Sequence, residues 1–178
     1  MKVVKTKLDG CVIIEPQVFG DQRGFFLETY QREKYADLAC ITLPFVQDNH
    51  SRSSAGVLRG MHFQKTRPQG KLVRVSRGSV YDVAIDLRHE SSTFGQYEAV
   101  ILSGDNKKQF WVPPGFGHGF LVLEDSTDLE YKCTDFYDPK DEVTIRWDDP
   151  RLNIDWPSNP VSLVDRDANA PIMDDLGI

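Results

Sequence analysis

Lys71-Leu72-Val73-Arg74-Val75-Ser76-Arg77-Gly78-Ser79-Val80-Tyr81-Asp82-Val83-Ala84-Ile85-Asp86-Leu87 is the stretch that decides the fold. Its side chains alternate with the two-residue period of a strand on either side of Arg77-Gly78, and β-branched residues dominate the apolar set. With Arg77-Gly78 as a turn, the two halves read as a hairpin. Working outward, the same pattern predicts strands over 12–15, 24–29, 45–51, 95–102, 109–112, 119–123, 129–133 and 143–147, parted by Gly, Pro, Asn and Asp clusters. One short helix is expected over 31–39, with Tyr35, Leu38 and Ala39 toward a core. So many short strands specify an all-β sandwich, jelly roll or barrel. After Asn153 turn formers prevail, and the tail reads as an ordered arm anchored by Trp156, Leu163 and Ile172.

Composition bounds the function. The 178 residues, 40% hydrophobic, suffice for a single domain, 1–178, around one core. A formal charge of −6 argues against a nucleic-acid or anionic-membrane surface and leaves room for a local basic pocket around a phosphorylated ligand. Cys11, Cys40 and Cys133 are odd in number and lack metal-ligand spacing, which fits packing residues in a reducing cytoplasm. The first residues reach Asp9 and Gly10 before any apolar run is long enough for a signal or membrane segment, so a soluble cytoplasmic protein is expected.

Two motifs narrow the chemistry. Gly56-Val57-Leu58-Arg59-Gly60-Met61-His62-Phe63-Gln64 with Pro113-Pro114-Gly115-Phe116-Gly117-His118 resembles a cupin-type jelly-roll β-barrel, here with short helices and an irregular C-terminal arm, whose metal site has been dismantled. Metal-binding cupins supply His-x-His and a following Glu from the first motif and another His from the second. Gln64 takes the place of the second His, and Pro68 and Gln69 stand where the Glu would fall. No metal and no cofactor is therefore expected, and two histidines on one cavity point to acid-base work.

Further motifs make the resemblance specific. Gly20-Asp21-Gln22-Arg23-Gly24-Phe25-Phe26-Leu27-Glu28, Gln47-Asp48-Asn49-His50-Ser51, Lys71-Leu72-Val73, the stretch from Val112 to Phe120, and Glu130-Tyr131-Lys132 follow in the order and spacing of dTDP-4-dehydrorhamnose 3,5-epimerases. The similarity spans almost the whole chain. It implies epimerisation of dTDP-4-dehydro-6-deoxy-D-glucose at C3 and C5, by proton removal beside the C4 ketone and return on the opposite face. Such a reaction needs a base, a donor for the enolate oxygen and an acid across the ring.

The resemblance implies roles residue by residue. His62 matches the base, Asp167 the carboxylate that orients it, Tyr131 the proton donor and Lys71 the group that stabilises the C4 oxyanion, with Arg59 or His118 assisting. Asp165 is the register alternative to Asp167. For substrate binding the matched set is Arg23, Glu28, Gln47, Asp48, Asn49, Arg59, His118, Glu142 and Arg166, with Phe19, Phe26 or Tyr137 available to stack on thymine. His50 and His89 match no role and read as surface or structural. The family's homodimer, in which N-terminal strands cross over, implies that Arg23 and Glu28 serve the partner's site.

Two departures and three alternatives remain. Where the family commonly has Ser-x-Lys-Asp, this chain has Val164-Asp165-Arg166-Asp167, which keeps the charge and changes its shape. Met61 stands where Leu is frequent. The alternatives are a single-carbon epimerase on a related nucleotide-linked keto sugar, a non-catalytic nucleotide-sugar binding module, and, most distantly, a metal-dependent oxygenase.

Overall fold

The computed structural model describes residues 1–178 as two antiparallel sheets and a separate hairpin. The first sheet runs in the order β1 (Lys2–Lys5), β2 (Val12–Glu15), β10 (Gln109–Val112), β7 (Lys71–Arg77), β12 (Thr127–Cys133) and β5 (Gln47–Ser53). The second runs β13 (Glu142–Thr144), β6 (Leu58–Gln64), β11 (Phe116–Val122), β8 (Ser79–Asp86) and β9 (Tyr97–Ser103). The hairpin β3 (Val18–Asp21) with β4 (Gly24–Leu27) joins neither.

The central stretch contains two strands, but they do not pair. β7 lies between β10 and β12, while β8 lies between β9 and β11 in the opposite sheet. The expected hairpin turn is instead a corner between sheets. Gly78 makes it, with φ +74° and no room for a side chain, since a Cβ there would meet Thr127 Oγ1 at 2.2 Å. The physical reason lies in burial: β8 is buried along almost its whole length, and β7 buries Leu72 outward as well as Val73 and Val75 inward, so each needs cover on both sides. Val73 and Val75 of β7 meet Val80 and Ala84 of β8 in the core between the sheets. Leu72 packs outward against Tyr35 and Trp111, and Val83 and Ile85 pack outward against Leu152 and Met173. Each such side chain contributes roughly 1.5–3 kcal/mol on full burial.

The outer covers come from the helix and the tail. In α1 (Arg32–Ala39), Gln31 caps the N-terminus by accepting from the Lys34 N–H at 2.5 Å. Tyr35 and Ala39 face the sheet, but Leu38, expected to join them, is exposed. In so short a helix the buried stripe is narrow, and Leu38 falls outside it. Cys40, expected to pack, is also exposed, because it ends the helix in a left-handed conformation with φ 57°. Cys11 and Cys133 are buried.

The tail contains α2 (Asp165–Ala168) and α3 (Met173–Leu176) within otherwise irregular chain. Met173 is its deepest anchor, and its N–H donates to Asp149 Oδ2 at 2.7 Å.

Three strands were not expected from pattern: β1, β3 and β6. In β6 the alternation is broken by Gly60, whose φ is +131° and whose Cβ would lie 2.5 Å from Gly119 Cα. Two glycines thus let β6 and β11 approach where their register shifts, and just beside that point His62 pairs with His118.

Candidate active site

A cavity of about 620 Å³ lies where the inward positions of the barrel change from apolar to polar. On β7 the inward face of Val73 and Val75 continues to Lys71. On β12, Tyr131 follows Leu129 on that same face and lies across from Val73, while Cys133 lies across from Lys71. From the other sheet β6 and β11 supply His62 and His118. The four side chains expected to carry the chemistry, His62, Lys71, Tyr131 and Asp167, all line this space.

His62 is held from one side only. Its Nε2 lies 2.8 Å from Asp167 Oδ1, and the Gly60 N–H donates to Asp167 Oδ2 at 3.1 Å. Burial alone would raise the Asp167 carboxyl, but the hydrogen bond and charge of His62, the Gly60 N–H and the Arg166 guanidinium together hold it below its ordinary range. With Nε2 committed to the carboxylate, Nδ1 of His62 makes no hydrogen bond and is the nitrogen free to take a proton. Asp165, two residues earlier, is exposed, so Asp167 is the residue that meets the imidazole.

Lys71 and Tyr131 offer unengaged polar heads. Neither Lys71 Nζ nor the Tyr131 hydroxyl has a hydrogen-bond partner in the chain. Burial lowers the Lys71 ammonium below its ordinary value, against the pull of Cys133, Glu142 and Asp82. Burial also pushes the Tyr131 phenol up to about 12, with Cys133 and Glu142 adding to the effect. The phenol therefore keeps its proton throughout the physiological range.

A polar rim surrounds these four. Arg166 Nη1 donates to Glu142 Oε2 at 2.5 Å, and the Tyr137 hydroxyl donates to the same oxygen at 2.9 Å. Gln47 accepts from the Tyr137 N–H at 2.9 Å and donates to Asn49 Oδ1 at 3.1 Å. Arg59 donates to Ser53 Oγ from Nε at 3.3 Å and Nη2 at 3.0 Å, and its Nη1 makes no hydrogen bond.

His118 is paired with Asp82 at 2.9 Å, deep in the barrel. Sequence reasoning missed Asp82, although a signal was present. It is an acid at an inward position between Val80 and Ala84, where an unpaired charge is costly.

The remaining expected ligands are not brought together within one chain. Arg23 sits at the tip of the β3–β4 hairpin and pairs with Asp21 at 2.5 Å. Glu28 pairs with Lys34 at 3.1 Å. Asp48 faces outward, because β5 alternates and directs Gln47 and Asn49 inward, and it meets Lys132 at 3.0 Å. Phe19 and Phe26 stand exposed on the hairpin, whereas Tyr137 lines the cavity. Gln64, in the place of a metal ligand, is buried and braces the neighbouring loop through Arg67 O, Phe136 O and the Asp138 N–H. No three His, Cys, Asp or Glu side chains are clustered to hold a metal ion.

Fold and cavity define a cupin-type jelly roll whose interior carries an imidazole–carboxylate pair, a lysine and a phenol. Residues 5–175 match the family model described as dTDP-4-dehydrorhamnose 3,5-epimerase. The chain belongs to that family, and it is an epimerase. It is 48% identical over 176 residues to the dTDP-4-dehydrorhamnose 3,5-epimerase of Salmonella typhimurium, covering 98% of this chain and 96% of that one. It is also similar to the crystal structure of a dTDP-6-deoxy-D-glucose-3,5-epimerase from Legionella pneumophila in complex with dTDP-4-keto-L-rhamnose, at TM-score 0.94 and 52% identity over 97% of this chain and 93% of that one. A 3'-monoepimerase from Streptomyces bikiniensis in complex with dTDP-quinovose has the same fold at TM-score 0.89 and 33% identity, covering 97% of this chain and 89% of that one.

Proposed function

We propose that this chain, acting as a single domain, converts dTDP-4-dehydro-6-deoxy-D-glucose to dTDP-4-dehydro-L-rhamnose by epimerisation at C3 and C5. The observation that carries the reading is one cavity holding His62 fixed by Asp167, with Lys71 Nζ and the Tyr131 hydroxyl unengaged beside it. Nδ1 of His62 takes the proton from the carbon next to the ketone, and the C–H electron pair moves into the enolate. Lys71 stabilises the charge on the C4 oxygen, an interaction worth about 2.7–4 kcal/mol for a single well-placed donor. Tyr131 returns a proton to the opposite face. The proton on His62 leaves to solvent and Tyr131 regains one from solvent, so nothing is consumed. Arg59 and Arg166 suit the diphosphate, and Tyr137 suits the thymine face.

The partner of this site is a dTDP-linked 4-keto-6-deoxyhexose, and a homodimer supplies what one chain lacks. The β3–β4 hairpin carries Arg23 among exposed phenylalanines and pairs with no other strand of its own chain, which supports its docking on a second subunit. No helix is long and apolar enough to cross a membrane. Unpaired cysteines support a cytoplasmic setting.

The test is proton NMR of the keto sugar nucleotide in heavy water, with His62→Ala beside the wild type. Exchange at C3 and C5 that vanishes in the variant is the expected result. Exchange at a single carbon would instead establish a monoepimerase, and binding without exchange a non-catalytic module.

A further inference from the structure

We propose that Glu142 is a positioning residue for the acid-base step, holding a carboxylate oxygen against Nδ1 of His62 to stabilise the proton that this nitrogen takes from carbon. This rests on the function proposed above and deepens it.

Glu142 opens β13, which pairs with β6 so that Thr144 lies across from His62 and Glu142 across from Gln64. Its two carboxylate oxygens are used unequally. Oε2 accepts both the Tyr137 hydroxyl at 2.9 Å and Arg166 Nη1 at 2.5 Å. Those bonds stop the carboxylate from turning. Oε1 is left without a hydrogen-bond donor, 3.8 Å from His62 Nδ1, on a side chain only 11% exposed. Oε1 thus faces the cavity with no protein donor, held in place to meet an N–H that forms on Nδ1.

Proton transfer supplies that donor. While His62 is neutral, Nδ1 is a lone pair and Oε1 gains nothing from facing it. Once the C–H bond breaks and Nδ1–H forms, an N–H of a cationic ring faces Oε1, and the pair is an ion pair. An interaction present only after the proton has moved lowers the barrier rather than the ground state. The charges around the ring are consistent with this division. Asp167 from α2 holds the Nε2 side at 2.8 Å, Arg166 Nη2 lies 3.2 Å from the same nitrogen, and His118 of β11 lies across from His62 in register. Glu142 alone addresses Nδ1.

Glu142→Gln keeps the shape and an oxygen for Tyr137 and Arg166 while removing the charge that faces Nδ1. Steady-state kinetics on the keto sugar nucleotide, with dTDP affinity and thermal stability measured in parallel, give the readout. The expected result is a kcat lowered roughly 10- to 100-fold, with KM and dTDP Kd changed less than about threefold. Glu142→Asp restores the charge and is expected to recover part of the lost kcat. The proposal is overturned if kcat holds while KM and dTDP Kd rise, since Glu142 is then a substrate ligand. It is also overturned if Asp recovers no more than Gln, since the charge is then irrelevant, or if kcat falls only in step with stability. Failure of the wild type to exchange solvent deuterium into the sugar defeats the parent reading itself, independently of these variants.

Discussion

The C-terminal arm and the β3–β4 hairpin both lie outside the two sheets, and the chain treats them oppositely. The arm buries Met173 against the second sheet and sends Asp167 inward to His62. The hairpin leaves Phe19, Phe25 and Phe26 at 61%, 59% and 68% exposure and ties Arg23 to its own Asp21. Packing thus brings the arm's carboxylate to the cavity within the chain. The exposed hairpin has the composition of a segment meant to be covered, aromatic with an arginine at its tip, which is the profile of an interface anchor. The difference separates a segment packed onto its own chain from one left uncovered by it.

The largest effect expected from breaking the arm's side of this contrast is on chemistry. Asp167→Asn removes the charge that holds Nε2–H and lowers kcat by roughly 100- to 10,000-fold, with dTDP binding retained, as steady-state kinetics and calorimetry will show. Met173→Ala takes away the anchor beneath α3 and costs about 2–5 kcal/mol of stability, read by denaturant unfolding, with activity lost as the arm loosens.

On the hairpin's side, Arg23→Ala raises KM by about tenfold, the loss of one charge-assisted contact, with a smaller change in kcat. Mixing that variant with His62→Ala tests where the hairpin acts. A mixed dimer joins an intact His62 in one subunit to an intact Arg23 in the other, so the wild-type KM returns only if the hairpin serves its neighbour. The smallest effect is on pH. The folded-state value of Asp167 lies below its unfolded value of 3.8, so its contribution to stability is present above that pH and fades as pH falls through the folded value. The acid limb of a stability curve is therefore shallower in Asp167→Asn than in the wild type.

Much of this was legible in the sequence, for local reasons. Alternation alone marked β2 and β10 at their observed limits and placed β7 and β12 closely. It failed at β6, because Gly60 breaks the period where two backbones must meet, and at Gly78, because a short glycine turn looks alike whether the strands it joins pair or part. Within the site, His62, Lys71, Tyr131 and Asp167 followed from the resemblance and converge in the cavity. Asp82 did not, since no motif contains it, and neither did the unequal use of the two Glu142 oxygens, which depends on side-chain rotations.

By itself the sequence determined that this is a strand-rich jelly roll of the epimerase family, with His62, Asp167, Lys71 and Tyr131 among its matched residues. Those properties reside in periodicity and residue identity, which are local. Tertiary structure alone decided which strands face each other, which of the matched ligands share one cavity, and which nitrogen of His62 is free. Those outcomes depend on long-range burial: the strands part at Gly78 because Leu72 of β7 and Val83 and Ile85 of β8 need outward cover besides the shared core, and Asp167 reaches His62 because the arm's apolar anchors fix it to the second sheet.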